Sequence, residues 1–291
     1  MKPTIGIIGG SGPLATVDIE QKILLANQKL ASVFTDQDYF NLVVLNNCGT
    51  HDRNDSVFLG KPDPLKQYIH YISSITTLGV DLILLACNTA HMYLPVLKEK
   101  THIPIISIVE TVLTYFSRNF QSCSKVGLIS TKATSEKGLY HNVFHENEID
   151  IIDISPSTQS LIMEAIYLIK SGVHLDHQSD FITNSSLNSK VSAEQIAFLK
   201  KHPHKYILTQ EKIPNPVAII NEAVKELMNK GSQHIIFGCT ELPLALPYLV
   251  KHPKIHYIDP NAVVAEAIVE YLINIENDLL SNLKFANNNR K

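Results

Sequence analysis

Residues 79–97 read GVDLILLACNTAHMYLPVL and residues 231–249 read GSQHIIFGCTELPLALPYL, and the second stretch repeats the design of the first. Counted from Cys87 and Cys239, a glycine stands eight residues before (Gly79, Gly231), leucines stand seven and ten after (Leu94 and Leu97, Leu246 and Leu249), and a proline stands eight after (Pro95, Pro247). Self-similarity at matched offsets marks an internal repeat, which has to be found before any fold is assigned. In each copy an apolar run reads as a buried strand, closes on a small residue (Ala86, Gly238) and turns polar at the cysteine. In an open α/β sheet that position is the carboxyl end of a strand, where ligands bind.

The repeat extends backward, because Gly6 in TIGIIGG matches Gly127 in KVGLIST. The glycine lies 81 residues before the cysteine in the first copy and 112 in the second, and the excess of 31 is about what the segment 171–216 would supply. That segment is rich in Ser, Asn, His and Lys, with a weak helical stretch at 193–200, and reads as a surface insertion. Elsewhere strand patterns at 4–9, 41–46, 82–86 and 103–106 alternate with helical ones at 13–29, 64–78 and 91–98. The order restarts with strands at 125–130 and 149–154, helices at 157–170 and 217–229, and a final buried strand at 233–237. The expectation is an α/β fold of two pseudo-symmetric parallel-sheet domains with the active site in the cleft between them. Residues 1–113 form the first domain and 114–254 the second; 255–291, with a last helix from Pro260, return to the first, and the polar tail 286–291 frays.

Composition narrows the function. Hydrophobic residues make up 45% and charged residues 18%, a balance that suits a packed globular protein. The net charge is −3 and Lys and Arg are scattered, so the footprint of a nucleic-acid binder is missing and a small-molecule partner fits better. The apolar start, 1–10, is broken by glycines and is too short for a secretory core or a membrane span, so a cytoplasmic protein is expected, without membrane attachment. Cysteines 48, 87, 123 and 239 show no CxxC or metal-finger spacing, which favours free thiols over a disulfide framework.

A free cysteine is usually a small buried hydrophobe, and Cys48 and Cys123 take that reading. Two cysteines at matched positions of a repeat, each beside a threonine, are harder to explain as packing. Helix-start amides beyond each would favour thiolate over thiol. Two like groups in symmetric halves suit a nearly symmetric reaction, such as removing a proton from one face of a carbon and returning one to the other. A thiol's reference pKa of roughly 8.5 leaves either role open.

The start of the chain, Gly9-Gly10-Ser11-Gly12-Pro13-Leu14-Ala15-Thr16, contains a formal G-x-G-x-x-A, which raises a nucleotide-dependent enzyme as a rival. Against it, the second strand ends in Asn46 and Asn47 rather than an acidic residue, and Pro13 removes an N–H from the phosphate turn. The same glycines would let backbone approach a carboxylate. A non-catalytic amino-acid-binding protein is the second rival, against which both thiols argue. His141 and His145, four apart on a helix, have no third ligand in the sequence pattern, so no metal is expected.

GIIGGSGPLAT, ACNTAH and GCTELPL, in that order, resemble the signatures of the aspartate/glutamate racemase superfamily, in its aspartate racemase branch, over nearly the whole chain outside 171–216. The resemblance implies a cofactor-independent, two-thiol racemase of paired α/β domains, often a homodimer, acting on a small amino acid such as aspartate or glutamate. It implies Cys87 and Cys239 as the catalytic pair, with Asn88, Thr89, Thr240 and Glu241 lining the substrate site. His51-Asp52-Arg53 is similar to the family's Asp-Arg-Thr segment, with Asn54 in place of the threonine, and implies Arg53 as a carboxylate-binding residue, with Lys170 as the second. Ser11, where the family commonly has methionine, is expected among the substrate-binding residues, and Thr131 and Thr134 are expected to hydrogen-bond the substrate.

Overall fold

The computed structural model describes residues 2–172, 181–183, 197, 200–201, 205, 210 and 212–288. Strands β1 (Thr4–Gly9), β2 (Asn41–Asn46), β3 (Leu82–Leu85) and β4 (Ile105–Ile106) form a parallel sheet in the order β2-β1-β3-β4. After β5 (Lys125–Ser130) and β6 (Asp150–Asp153) comes an antiparallel pair, β7 (Phe181–Thr183) and β8 (Lys212–Pro214), then β9 (His234–Gly238) and β10 (His256–Ile258). The second parallel sheet runs β10-β9-β5-β6, so each strand of the first half has an equivalent in the same place. The central strands β3 and β9 are buried at every position, which is why they are uninterrupted apolar runs rather than alternating ones.

The helices are α1 (Pro13–Leu30), α2 (Arg53–Leu59), α3 (Leu65–Thr77), α4 (Leu94–Lys98), α5 (Ile108–Asn119), α6 (Lys132–Glu136), α7 (Leu139–His145), α8 (Pro156–Lys170), α9 (Pro216–Asn229) and α10 (Pro260–Asn288). The repeat survives at the level of backbone. Just past α3 and α9 stand Gly79 and Gly231, at φ 71° and 87°, where a side chain would be strained and glycine closes the helix. A Cβ on Gly6 would lie 2.8 Å from Ile75 of α3, and one on Gly127 would lie 2.9 Å from Leu227 of α9, so both helices ride equally close to their sheets.

One core belongs to each half, and a third is shared. Ile72, Ile75, Ile83 and Leu85 pack with Tyr68 on the outer side of the first sheet, and Ile166, Ile220, Leu227 and Phe237 on the outer side of the second. Between the sheets, Ile19 and Ile23 of α1, Val112 and Phe116 of α5, Tyr140 and Phe144 of α7, and Val264, Ile268 and Leu272 of α10 form one continuous cluster. The last helix thus packs against α1 and α5.

Several expectations need correction. The strand at 233–237 is not final: β10 follows and pairs with β9, so the segment from 255 divides, its strand joining the second sheet and its helix packing against α1 and α5. A three-residue edge strand flanked by lysines, prolines and histidines carries too little periodicity to be seen alone. Its equivalent β4 was the available signal: β4 starts 18 residues after Cys87 and β10 starts 17 after Cys239. Residues 89–93 form a tight 3-10 turn before α4 rather than the start of one long helix. The 171–216 segment is not wholly superficial, because Ile213 of β8 is fully buried. Most of its expected helix at 193–200 lies outside the described residues. The backbone of α10 continues to Asn288, past the expected start of a frayed tail. Among the described residues, no helix is long and apolar enough to cross a membrane.

Candidate active site

In each sheet the chain leaves the two central strands toward opposite edges, and the crevice at their carboxyl ends is where ligands settle in such folds. Cys87 follows β3 and Cys239 follows β9, so both thiols stand at this switch point. The backbone turns identically at each: Cys87 N–H donates to Leu85 O and Cys239 N–H to Phe237 O, both at 2.8 Å. Both side chains are buried, and all four cysteines are unpaired.

His91, in the same stretch as Cys87, is a strut that sequence reasoning passed over. Its Nε2 accepts from Ile108 N at 2.9 Å, so Nδ1 carries the proton and donates to Cys87 O at 2.8 Å. Burial lowers its pKa to about 4, so the ring stays neutral while tying the Cys87 turn to the start of α5.

The loop between β1 and α1 gathers two cations. Ser11 O accepts from Arg53 Nη2 at 2.8 Å and from Lys170 Nζ at 2.9 Å, one from α2 and the other from α8 in the opposite half. Ser11 Oγ is hydrogen-bonded to Tyr68 OH at 2.9 Å. Arg53 is buried, donates Nη1 to His51 O, and keeps Nε without a partner. Asp52 caps α2, accepting from Asn54 N and Asp55 N, and takes a bond from Tyr167 OH at 3.0 Å. Burial would raise its pKa, but the charges of Lys170, Lys205 and Arg53 hold the carboxyl well below the ordinary range. Lys205, from the 171–216 segment, reaches Asp55 at 2.8 Å and Asp52 at 3.4 Å, so this segment braces the arginine helix. Nothing in the repeat pointed to that contact.

The second thiol has a carboxylate upon it. Cys239 Sγ donates to Glu241 Oε2 at 2.9 Å, Thr240 Oγ1 donates to the same oxygen at 3.3 Å, and Lys170 Nζ lies 3.0 Å from Oε1. Burial and Glu241 together push the Cys239 thiol well above its ordinary pKa, so the expected preference for thiolate is reversed here. The local cause is the carboxylate, and the segment after Cys239 is a 3-10 stretch, Leu242–Tyr248, rather than an α-helix.

Three contacts join the halves beside the thiols. Thr89 Oγ1 meets Thr131 Oγ1 at 2.9 Å and Thr134 Oγ1 at 3.0 Å, so these hydroxyls bond one another. Tyr140 OH donates to Asn88 Oδ1 at 2.5 Å, which orients the amide and leaves Nδ2 buried without a partner. Asn54, at the position where threonine was expected, accepts from Ala133 N at 3.0 Å. His141 and His145 are not brought into this site; His141 is hydrogen-bonded to Asp153 at 2.7 Å.

The profile described as Asp/Glu/Hydantoin racemase matches residues 8–184. The chain belongs to this family. Among its relatives, the broad specificity amino-acid racemase RacX of Bacillus subtilis is 27% identical over 173 residues, 60% of this chain and 74% of that one. The glutamate racemase of Carboxydothermus hydrogenoformans is 26% identical over 206 residues, 70% of this chain and 60% of its own. The aspartate racemase of Picrophilus torridus matches in fold with a TM-score of 0.63 at 21% identity, over 93% of this chain and 94% of that one. Membership places the chain among racemases, which are isomerases.

Within the racemase fold, Gly12 has a spatial role. A Cβ there would fall 1.8 Å from Glu241 Oε1, and that carboxylate is too firmly held by Lys170 and Cys239 to step aside cheaply. Gly12→Ala is expected to displace Glu241 and lower kcat/KM on the order of 10²-fold, the typical effect of a misplacement of about 1 Å. Wild-type kinetics together with an unchanged Tm would show that the contact is not tight.

Proposed function

We propose that the chain is a cofactor-independent amino-acid racemase of the aspartate racemase type, in which Cys87 and Cys239 move a proton between opposite faces of the α-carbon of aspartate or glutamate. The observation that carries this reading is the placement of two thiols at equivalent strand ends of a repeated sheet, with Arg53 and Lys170 converging on Ser11 O.

The unpartnered donors suit an anionic ligand. Arg53 Nε and Asn88 Nδ2 are buried and unspent, and hydrogen bonds from them to the α-carboxylate would stabilise the negative charge that develops when the α-proton leaves. In this reading one thiolate takes that proton, the carbanion is held by the charged carboxylate clamp, and the opposite thiol supplies a proton to the other face. Lys170, an ammonium with three donors of which Ser11 O and Glu241 Oε1 take two, serves the second carboxylate with the third, and Thr89, Thr131, Thr134 and Thr240 shape the wall. The nucleotide rival is weakened by the loop itself, since Gly10 N–H is committed to Thr16 Oγ1 at 3.1 Å and Ser11 O faces two cations.

Racemisation of a panel of amino acids in heavy water tests the reading. Early product should carry solvent deuterium almost completely, while the remaining starting enantiomer keeps its hydrogen. Aspartate or glutamate should exceed alanine and lysine. Original hydrogen carried into the first product would point to a single polyprotic base, and no turnover of any amino acid would exclude a racemase.

A further inference from the structure

We propose that Glu241 is a positioning residue that keeps the proton on Cys239, so that the resting enzyme presents Cys239 as the acid and leaves Cys87 to act as the base. The inference rests on the two-thiol reading and adds an asymmetry that the repeat conceals.

The two thiols occupy equivalent backbone positions but have opposite electrostatic neighbours. Cys239 Sγ stands 2.9 Å from Glu241 Oε2. A thiolate and a carboxylate oxygen at that separation would both be acceptors and would repel, so a proton must lie between them. It resides on sulfur, because the other carboxylate oxygen is 3.0 Å from Lys170 Nζ, an ammonium group that favours the ionised carboxylate. The groups facing Cys239 from other elements do not offset this. Lys170 of α8 is already paired with Glu241, and Tyr140 of α7 is an uncharged phenol whose pKa burial pushes up. On the other side, Cys87 Sγ has no hydrogen-bonded carboxylate among the described residues, and its charge would be felt favourably by the buried Arg53 guanidinium. Thr89, two residues after Cys87, carries no charge at the position where the second copy has Glu241.

The consequence is directional. The resting enzyme can deprotonate only the enantiomer whose α-hydrogen faces Cys87, and turnover of the other enantiomer first requires the Cys239 proton to leave and a proton to arrive on Cys87. No atoms are gained or lost in the resting state; one proton is assigned to one of two sulfurs.

The test is alkylation with iodoacetamide across a pH series, with each cysteine quantified by mass spectrometry, which needs no substrate. In the wild-type chain Cys87 should be labelled first at neutral pH, and Cys239 should react only with an alkaline midpoint above the ordinary thiol value of roughly 8.5, about tenfold more slowly for each unit of displacement. Glu241→Gln should bring the Cys239 midpoint down. Glu241→Asp, which keeps a charge for Lys170 but withdraws the carboxylate from the sulfur by one methylene, should lower it as well and guards against a misfolded Gln variant. A wild-type Cys239 midpoint at or below roughly 8.5 overturns the proposal, as does a midpoint unmoved in both variants. The result is separable from the racemase reading: asymmetric labelling without racemisation would leave the proton assignment standing and remove the proposed reaction.

Discussion

Cys87→Ala and Cys239→Ala are each expected to abolish racemisation while the chain keeps its fold. A general acid or base contributes typically ~10²- to 10⁴-fold, and a racemase lacking either partner cannot complete the transfer across the carbon. The structural cost is small by comparison. Each substitution removes one sulfur from a buried position and leaves the backbone turn, made by main-chain N–H and C=O groups, in place, at a cost of about 1 kcal/mol, to which Cys239→Ala adds the loss of the thiol that donates to Glu241. Circular dichroism should show native helix content and a slightly lowered Tm, and chiral chromatography should show no second enantiomer. Turnover near the wild-type rate in either variant would sink the two-thiol proposal.

Lys170→Met should produce the largest loss of stability. Glu241 is buried and its partner Lys170 is partly buried, and removing the cation leaves a carboxylate 2% exposed beside a thiol, a situation that costs up to about 3–5 kcal/mol. For a chain of this size that is a fall in Tm on the order of 10 °C. The pH dependence gives a second signature. Against burial, Lys170 holds Glu241 below its ordinary pKa, so the stability it contributes is present above the unfolded carboxyl value of roughly 4.3 and is lost as pH falls through the lower folded value. Against burial, Glu241 raises Lys170, whose contribution is complete below roughly 10.4 and lost as pH rises through the higher folded value. Wild-type stability from this pair is therefore flat across the neutral range. In Lys170→Met the sign reverses, because an uncompensated buried carboxyl prefers its proton, and stability should rise as pH is lowered toward 5. Denaturant unfolding at several pH values measures both effects. The double variant with Glu241→Gln should recover most of the loss, and a single variant as stable as wild type at every pH would show that the pair contributes nothing.

Much of this architecture was legible because it repeats. The apolar runs ending at Ala86 and Gly238, the glycines at 79 and 231 and the glycines at 6 and 127 are local requirements of strand burial, helix closure and close helix-sheet packing, and each constraint appears twice. The short strand β10 escaped because three residues at a sheet edge have no periodicity of their own, although its equivalent β4 stood at nearly the same distance from the first cysteine.

What the sequence determined by itself was the two-sheet α/β fold, the family, and the pair of cysteines at matched strand ends. Those depend on the order of residues along the chain, where hydrophobic period and glycine position can be read directly. The charge pairing was decided only in three dimensions. Arg53 and Lys170 are 117 residues apart yet meet on one carbonyl, Lys205 reaches back to Asp52, and Tyr140 orients Asn88 from the other half. Nor could spacing tell that Glu241 turns its carboxylate onto Cys239 rather than toward solvent. Electrostatic partnership depends on distance and burial between side chains from different elements, and folding brings those side chains together without leaving a local pattern in the chain.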